Sequence, residues 1–174
     1  MTPEEALAGG LKLLFALAVL RWPLPGAFLS ILADGLDVVV MNYVDLGGGG
    51  IRDYHAFDKA TDLFGYVTFL IVALRWHGRD RAIAAFLAAL RLAGIALFEA
   101  TGSRGALIAC PNLFESWFLY VLLRDAWSLK GAARAWLLGG LVGTKLVQEV
   151  LVHGLQVLDR YNLDDVLKSI VRMR

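Results

Sequence analysis

Cysteine is almost missing from this chain: Cys110 is the only one in 174 residues. That excludes an internal disulfide and any multi-cysteine metal centre, and leaves Cys110 as a buried filler. Charge is also sparse. Asp, Glu, Lys and Arg make up 19% of the residues and nearly cancel to a net +1, so no bulk field draws the chain to nucleic acid. No basic patch interleaved with aromatics appears either. There is no internal repeat, no low-complexity segment beyond Gly47 to Gly50, and no polar stretch long enough for a separate soluble domain. The start, Met1-Thr2-Pro3-Glu4-Glu5, lacks the basic residues and the cleavage site of a secretory signal, so the first apolar stretch reads as a retained span.

What is present is apolar. Hydrophobic residues make up 58% of the chain and mean hydropathy is +0.61, too high for a soluble domain of this size. At about 20 residues per span the length holds at most about six or seven transmembrane helices. The punctuation predicts six: Glu5 to Trp22, Gly26 to Leu46, Asp53 to Trp76, Asp80 to Thr101, a fifth after Pro111 closing near Lys130, and a sixth running to His153. Asn112 followed by Glu115 has the spacing of a capping box at the start of the fifth. After Gly154 the pattern changes. Leu163, Val166, Leu167, Ile170 and Val171 share one helical face, with Asp164, Asp165, Lys168, Ser169 and Arg172 on the other. The expected fold is therefore all-α: a polytopic membrane domain over 1–154 and an amphipathic surface helix over 155–174.

Basic residues in the loops favour placing the side opposite the N-terminus in the cytoplasm. Arg160, Lys168, Arg172 and Arg174 in the tail cancel that bias, so orientation stays open. The five tryptophans lie near helix ends, as in an interfacial aromatic belt.

Charges inside a membrane are costly and mark function by default. At 100° per residue, Asp34, Asp37 and Asp45 of the second helix fall within about 80° of arc. His55, Asp58, Asp62 and Tyr66 share a similarly narrow face of the third. Arg91 lies in mid-span of the fourth helix and Glu99 near its end. Asn112 and Glu115 open the fifth, and Lys145, Gln148, Glu149 and His153 occupy one half of the sixth. Most of these groups lie toward one side of the bilayer, which predicts a polar cavity open to that side. Plainer roles compete with this. The aspartates could be structural partners of Lys145 and Arg91, although they outnumber those cations. Lys145 and Glu149, four apart, have the spacing of an intrahelical ion pair. His55 and His153 read more simply as solvated interfacial histidines.

Grouped carboxylates bind Mg²⁺ or Mn²⁺, which take one or two carboxylates together with substrate phosphate oxygens. Two aspartates one turn apart on each of two facing helices could hold one or two metal ions and orient a diphosphate. A further aspartate could take the proton from an acceptor hydroxyl. Arg104 and Lys145 would neutralise phosphate charge, and Asp45, His55, Glu115, Glu149 and His153 complete the candidate substrate-binding set.

The motifs Asp34-Gly35-Leu36-Asp37 and Asp58-Lys59-Ala60-Thr61-Asp62 resemble the two halves of the aspartate signature of the CDP-alcohol phosphatidyltransferases, which are six-helix membrane enzymes. The resemblance covers roughly 30 residues and is carried by fold-level analogy. It implies metal binding by Asp34, Asp37, Asp58 and Asp62, with Asp62 as the base and Asp37 beside it in the chemistry. The chain departs from the signature at Val38, Met41-Asn42 and Tyr54, and its gap between the halves is longer, so the donor is left open.

The expected function is thus metal-dependent chemistry on a lipid-linked or phosphate-containing substrate in a multi-pass membrane protein, with membrane lipid as partner. Two other classes compete. A small ion- or proton-coupled transporter or channel would use the same acids and would call for a homo-oligomer, since six helices are few and no inverted repeat is visible. A membrane assembly subunit would use the tail but leave the acids unexplained.

Overall fold

The computed structural model describes residues 3–43, 54–103 and 105–151. These form seven helices: α1 (Pro3–Arg21), α2 (Pro23–Tyr43), α3 (Tyr54–Leu74), α4 (Gly78–Thr101), α5 (Gly105–Ala109), α6 (Leu113–Ala126) and α7 (Ala132–Glu149). No strand occurs among the described residues, so the all-α expectation holds. The helix punctuation holds within a few residues, except at α2. That helix starts at Pro23 rather than Gly26, leaving no turn over Pro23 to Pro25, and its expected end at Leu46 lies outside the described residues. The segment expected to link the fourth and fifth spans contains the short helix α5. Gly47 to Gly50 and the tail after Gly154 lie outside the described residues.

The chain divides into two compact units, 1–81 and 82–174. In the first, α1 packs extensively against both α2 and α3. Its joint with α2 is a single residue, Trp22, whose N–H donates to Ala18 and whose carbonyl accepts from Gly26. Pro23 is preset for the first helical position and lacks only an N–H that a helix start leaves unpaired. So tight a joint brings two backbones together. A Cβ on Gly26 would lie 2.5 Å from the Val19 nitrogen and 2.8 Å from the Ala18 carbonyl carbon. Backbone cannot swing aside as a side chain can. Gly26→Ala is therefore expected to cost at least about 2 kcal/mol, at the upper end of ordinary overpacking, seen as a lower midpoint of thermal unfolding in detergent.

Small residues line the interior of this unit: Ala16 and Val19 on α1, Ala27, Ser30 and Ala33 on α2, and Thr61, Thr68 and Ala73 on α3 are buried. Buried hydroxyls need partners. Thr68 meets this locally by donating to the Gly65 carbonyl at 2.7 Å. At the far end of α1, Arg75 donates to the Leu20 carbonyl, one of the helix's last acceptors.

In the second unit α6 packs against α7, with Phe114, Phe118 and Val121 buried and Ser116 donating to the Leu141 carbonyl at 3.2 Å. On α4, Ala84, Ala88, Arg91 and Gly94 recur every three or four residues and so share a face, with both alanines and Gly94 buried. Gly94 takes Cys110 against its backbone. A Cβ there would collide with the Cys110 Cβ.

Each unit buries some polar groups in its apolar interior and exposes large apolar side chains. Lys12, Ser30, Thr61, Thr68, Ser116 and Glu149 are buried, whereas Leu14, Leu17, Leu32, Phe86, Leu97 and Val147 are exposed. Among the described residues two stretches, Gly78–Thr101 and Gly105–Ala126, are long and apolar enough to cross a membrane; Pro23–Ala33 and Thr61–Leu74 are shorter apolar helices.

Candidate functional site

The sequence places Asp34 and Asp37 on α2 and His55, Asp58 and Asp62 on α3. Both helices pack against α1, which brings the two acid-bearing elements onto one common partner. The side chains of Asp34, Asp37, His55 and Asp58, and Asp45 as a whole, lie outside the described residues, as do Arg104 and His153. Asp62 is described. Its Oδ1 accepts from the ammonium of Lys12 on α1 at 2.9 Å. The pair is lopsided: the Lys12 side chain is 6% exposed and that of Asp62 53%. The cation is buried within the helix packing while the carboxylate opens outward. A half-exposed carboxylate can reach a ligand, and Lys12 is the group that neutralises it from behind. Among the described residues, no group of three or more His, Cys, Asp or Glu is placed to hold a metal ion.

Lys12 is the residue that sequence reasoning missed. Its signal is faint but present: it is the only charge on α1 between Glu5 and Arg21. A lone lysine in mid-span requires a partner, and the acid face of α3 is the natural place to look.

The second unit gathers Arg91, Asn112, Glu115, Lys145 and Glu149 around the interruption between α5 and α6. Chain geometry explains why charges collect there. Helix α5 ends at Ala109 and α6 begins at Leu113, with Pro111 between them. The interruption frees backbone groups that a continuous helix would pair. Two charged side chains take them up. Arg91 donates to the Cys110 carbonyl at 3.1 Å, and the Asn112 N–H donates to Glu149 Oε1 at 2.9 Å. Arg91 and Glu149 face each other at 3.7 Å, with side chains only 14% and 7% exposed. Beside them Lys145 donates to Glu115 Oε2 at 2.7 Å, and the Asn112 amide donates to the same oxygen at 3.4 Å.

These contacts decide against two of the plainer readings. The capping box does not form: Asn112 makes no side-chain capping bond, and its N–H goes to Glu149 on α7 rather than to Glu115. Glu115 turns instead to Lys145, because a half-buried ammonium nearby competes better for a carboxylate than an N–H that another acid already accepts from. Nor do Lys145 and Glu149 neutralise each other along α7. Lys145 reaches α6 and Glu149 faces α4. Cys110, expected as a buried filler, is half-buried and sits at the interruption itself. Of the acid and base residues proposed for substrate binding, the structure thus brings Glu115, Lys145 and Glu149 together in one balanced network.

No protein-family model, no curated protein and no solved structure matches the chain.

Proposed function

We propose that the chain is a multi-pass helical membrane protein of about six spans with a C-terminal amphipathic helix, and that it carries out metal-dependent chemistry on a lipid-linked or phosphate-containing substrate at the acid faces of α2 and α3. The membrane part is supported by the many large apolar side chains on the outside together with the charged and hydroxyl groups buried within. Lys12, the Arg91–Glu149 pair and several hydroxyls lie inward, while Leu14, Leu17, Leu32, Phe86 and Val147 lie outward. In water such a surface would be a large aggregation-prone patch; in lipid it costs nothing. Trp22, Trp127 and Trp136, all well exposed at helix ends, fit the interface between lipid and headgroups.

The observation that carries the chemical reading is Asp62 itself. It is a carboxylate on a helix packed against α1, paired with a buried cation and half exposed to its surroundings. Asp34, Asp37, Asp58 and Asp62 are the oxygen donors that would hold Mg²⁺ or Mn²⁺. When bound, the metal would neutralise the charge of a phosphate-containing substrate. Asp62, held by Lys12, would then take the proton from an acceptor hydroxyl, with Asp37 beside it. The partial resemblance to the CDP-alcohol phosphatidyltransferases rests on these same four aspartates. Since Glu115, Lys145 and Glu149 are engaged within the second unit, Arg104, His55, Asp45 and His153 remain the candidates for substrate contacts. An ion- or proton-coupled transporter is the second reading, because an open carboxylate with a buried counter-cation also suits reversible cation or proton binding.

In detergent, Mg²⁺ or Mn²⁺ is expected to raise the unfolding temperature of the wild-type protein, and Asp37→Ala or Asp58→Ala to abolish that rise. No metal response in the wild type overturns the enzyme reading. A gradient-driven flux in reconstituted vesicles, lost in Asp62→Asn, would favour transport instead.

A further inference from the structure

We propose that α5 and α6 are the two halves of one discontinuous span, that their interruption at Cys110–Asn112 is a hinge, and that Arg91 and Glu149 are the latch holding it shut. The span and its lipid setting rest on the membrane reading above; the latch does not.

The stretch Gly105–Ala126 has the length and hydropathy of a single crossing, yet it is interrupted near its start. Non-helical backbone at membrane depth persists only where protein or a wet cavity satisfies it. Here the freed groups are satisfied from two other helices. Arg91 of α4 holds the carbonyl on one side of Pro111, and Glu149 of α7 holds the N–H on the other. The two charges are bonded to the backbone more closely than to each other, 3.1 and 2.9 Å against 3.7 Å. Their mutual attraction therefore draws α4 and α7 onto the interruption like two jaws. Helix geometry at both jaws fits. Gly94, one turn from Arg91, lets Cys110 sit directly on α4. Immediately after Glu149, Val150 keeps α-helical backbone angles, and its N–H donates to the Leu146 carbonyl, so α7 holds Glu149 on a regular helix. Asn112 adds an unsatisfied element: its Oδ1 is buried with no hydrogen-bond partner among the described residues. A closed state with one unmet acceptor at the hinge is poised to rearrange.

The chain carries its own reporter, since its only cysteine lies at the hinge. Opening is read as the rate at which a maleimide labels Cys110 in the detergent-solubilised full chain. Arg91→Met is expected to raise that rate about tenfold or more, as loss of a charge-assisted hydrogen bond should. Glu149→Gln keeps an acceptor for the Asn112 N–H and removes the charge, so its rate should fall between those two. A control in Cys110→Ser/Ser116→Cys reports the buried α6–α7 contact and should not change when Arg91→Met is added. Unchanged labelling of Cys110 in both latch variants overturns the proposal. So does a parallel rise at the control cysteine, which would mean general loosening rather than a hinge. A protein that is monodisperse without detergent would defeat the membrane reading and leave the latch to be judged on the labelling alone.

Discussion

Glu149→Ala is expected to lower the stability of the solubilised protein by about 3–5 kcal/mol, the range found when one member of a buried ion pair is removed. Two losses combine. Arg91, 14% exposed, would face no carboxylate at this position, and the Asn112 N–H would lose its acceptor. A double variant separates them. Arg91→Met/Glu149→Leu removes both charges, and in an ordinary buried pair such a replacement is close to neutral. Here it is expected to remain destabilised by about 2 kcal/mol or more, because the Cys110 carbonyl and the Asn112 N–H both lose their partners. Full recovery in the double variant would show that the pair serves charge balance alone. Unfolding in mixed micelles, followed by circular dichroism, measures both.

The helices were legible because their stops are chemical. Pro23 sets the joint after Trp22, and Gly78 and Gly131 bound the helices that follow the turns. Gly102, with φ of +67°, adopts at the end of α4 a conformation that only glycine takes at little cost. Helix α5 was not legible: its five residues are too few to show a period. The partners at the site were legible in kind but not in pairing. Glu115, Lys145 and Glu149 each read from the sequence as membrane charges. Local spacing favoured a capping box and an i, i+4 pair. Tertiary packing overrode both, because Arg91 of α4 and the freed N–H of Asn112 offered Glu149 stronger bonds than its own helix could. Lys12 was overlooked for the complementary reason. It has no charged residue within one turn of it on α1, and its partner lies 50 residues away.

That lopsided pair makes the second large prediction, an asymmetry between two changes that break the same bond. Asp62→Ala is expected to cost about 3 kcal/mol, because the ammonium of Lys12, 6% exposed, loses the carboxylate at 2.9 Å with little access to water in exchange. Lys12→Met is expected to cost less than about 1 kcal/mol. Asp62 is 53% exposed and can hydrate, while methionine fills the vacated space without a buried charge. Equal costs would mean that the two groups share one environment and would remove the argument that the carboxylate opens toward a ligand. The stable Lys12→Met protein is then informative about chemistry as well as folding. If Lys12 serves only to neutralise Asp62 from behind, divalent metal should stabilise this variant more than the wild type, since a cation competing for the same carboxylate is gone. If Lys12 also positions Asp62 for proton transfer, metal will still bind but turnover of a phosphate-containing substrate will fall. Lys12→Arg, which restores a buried cation, should recover part of it.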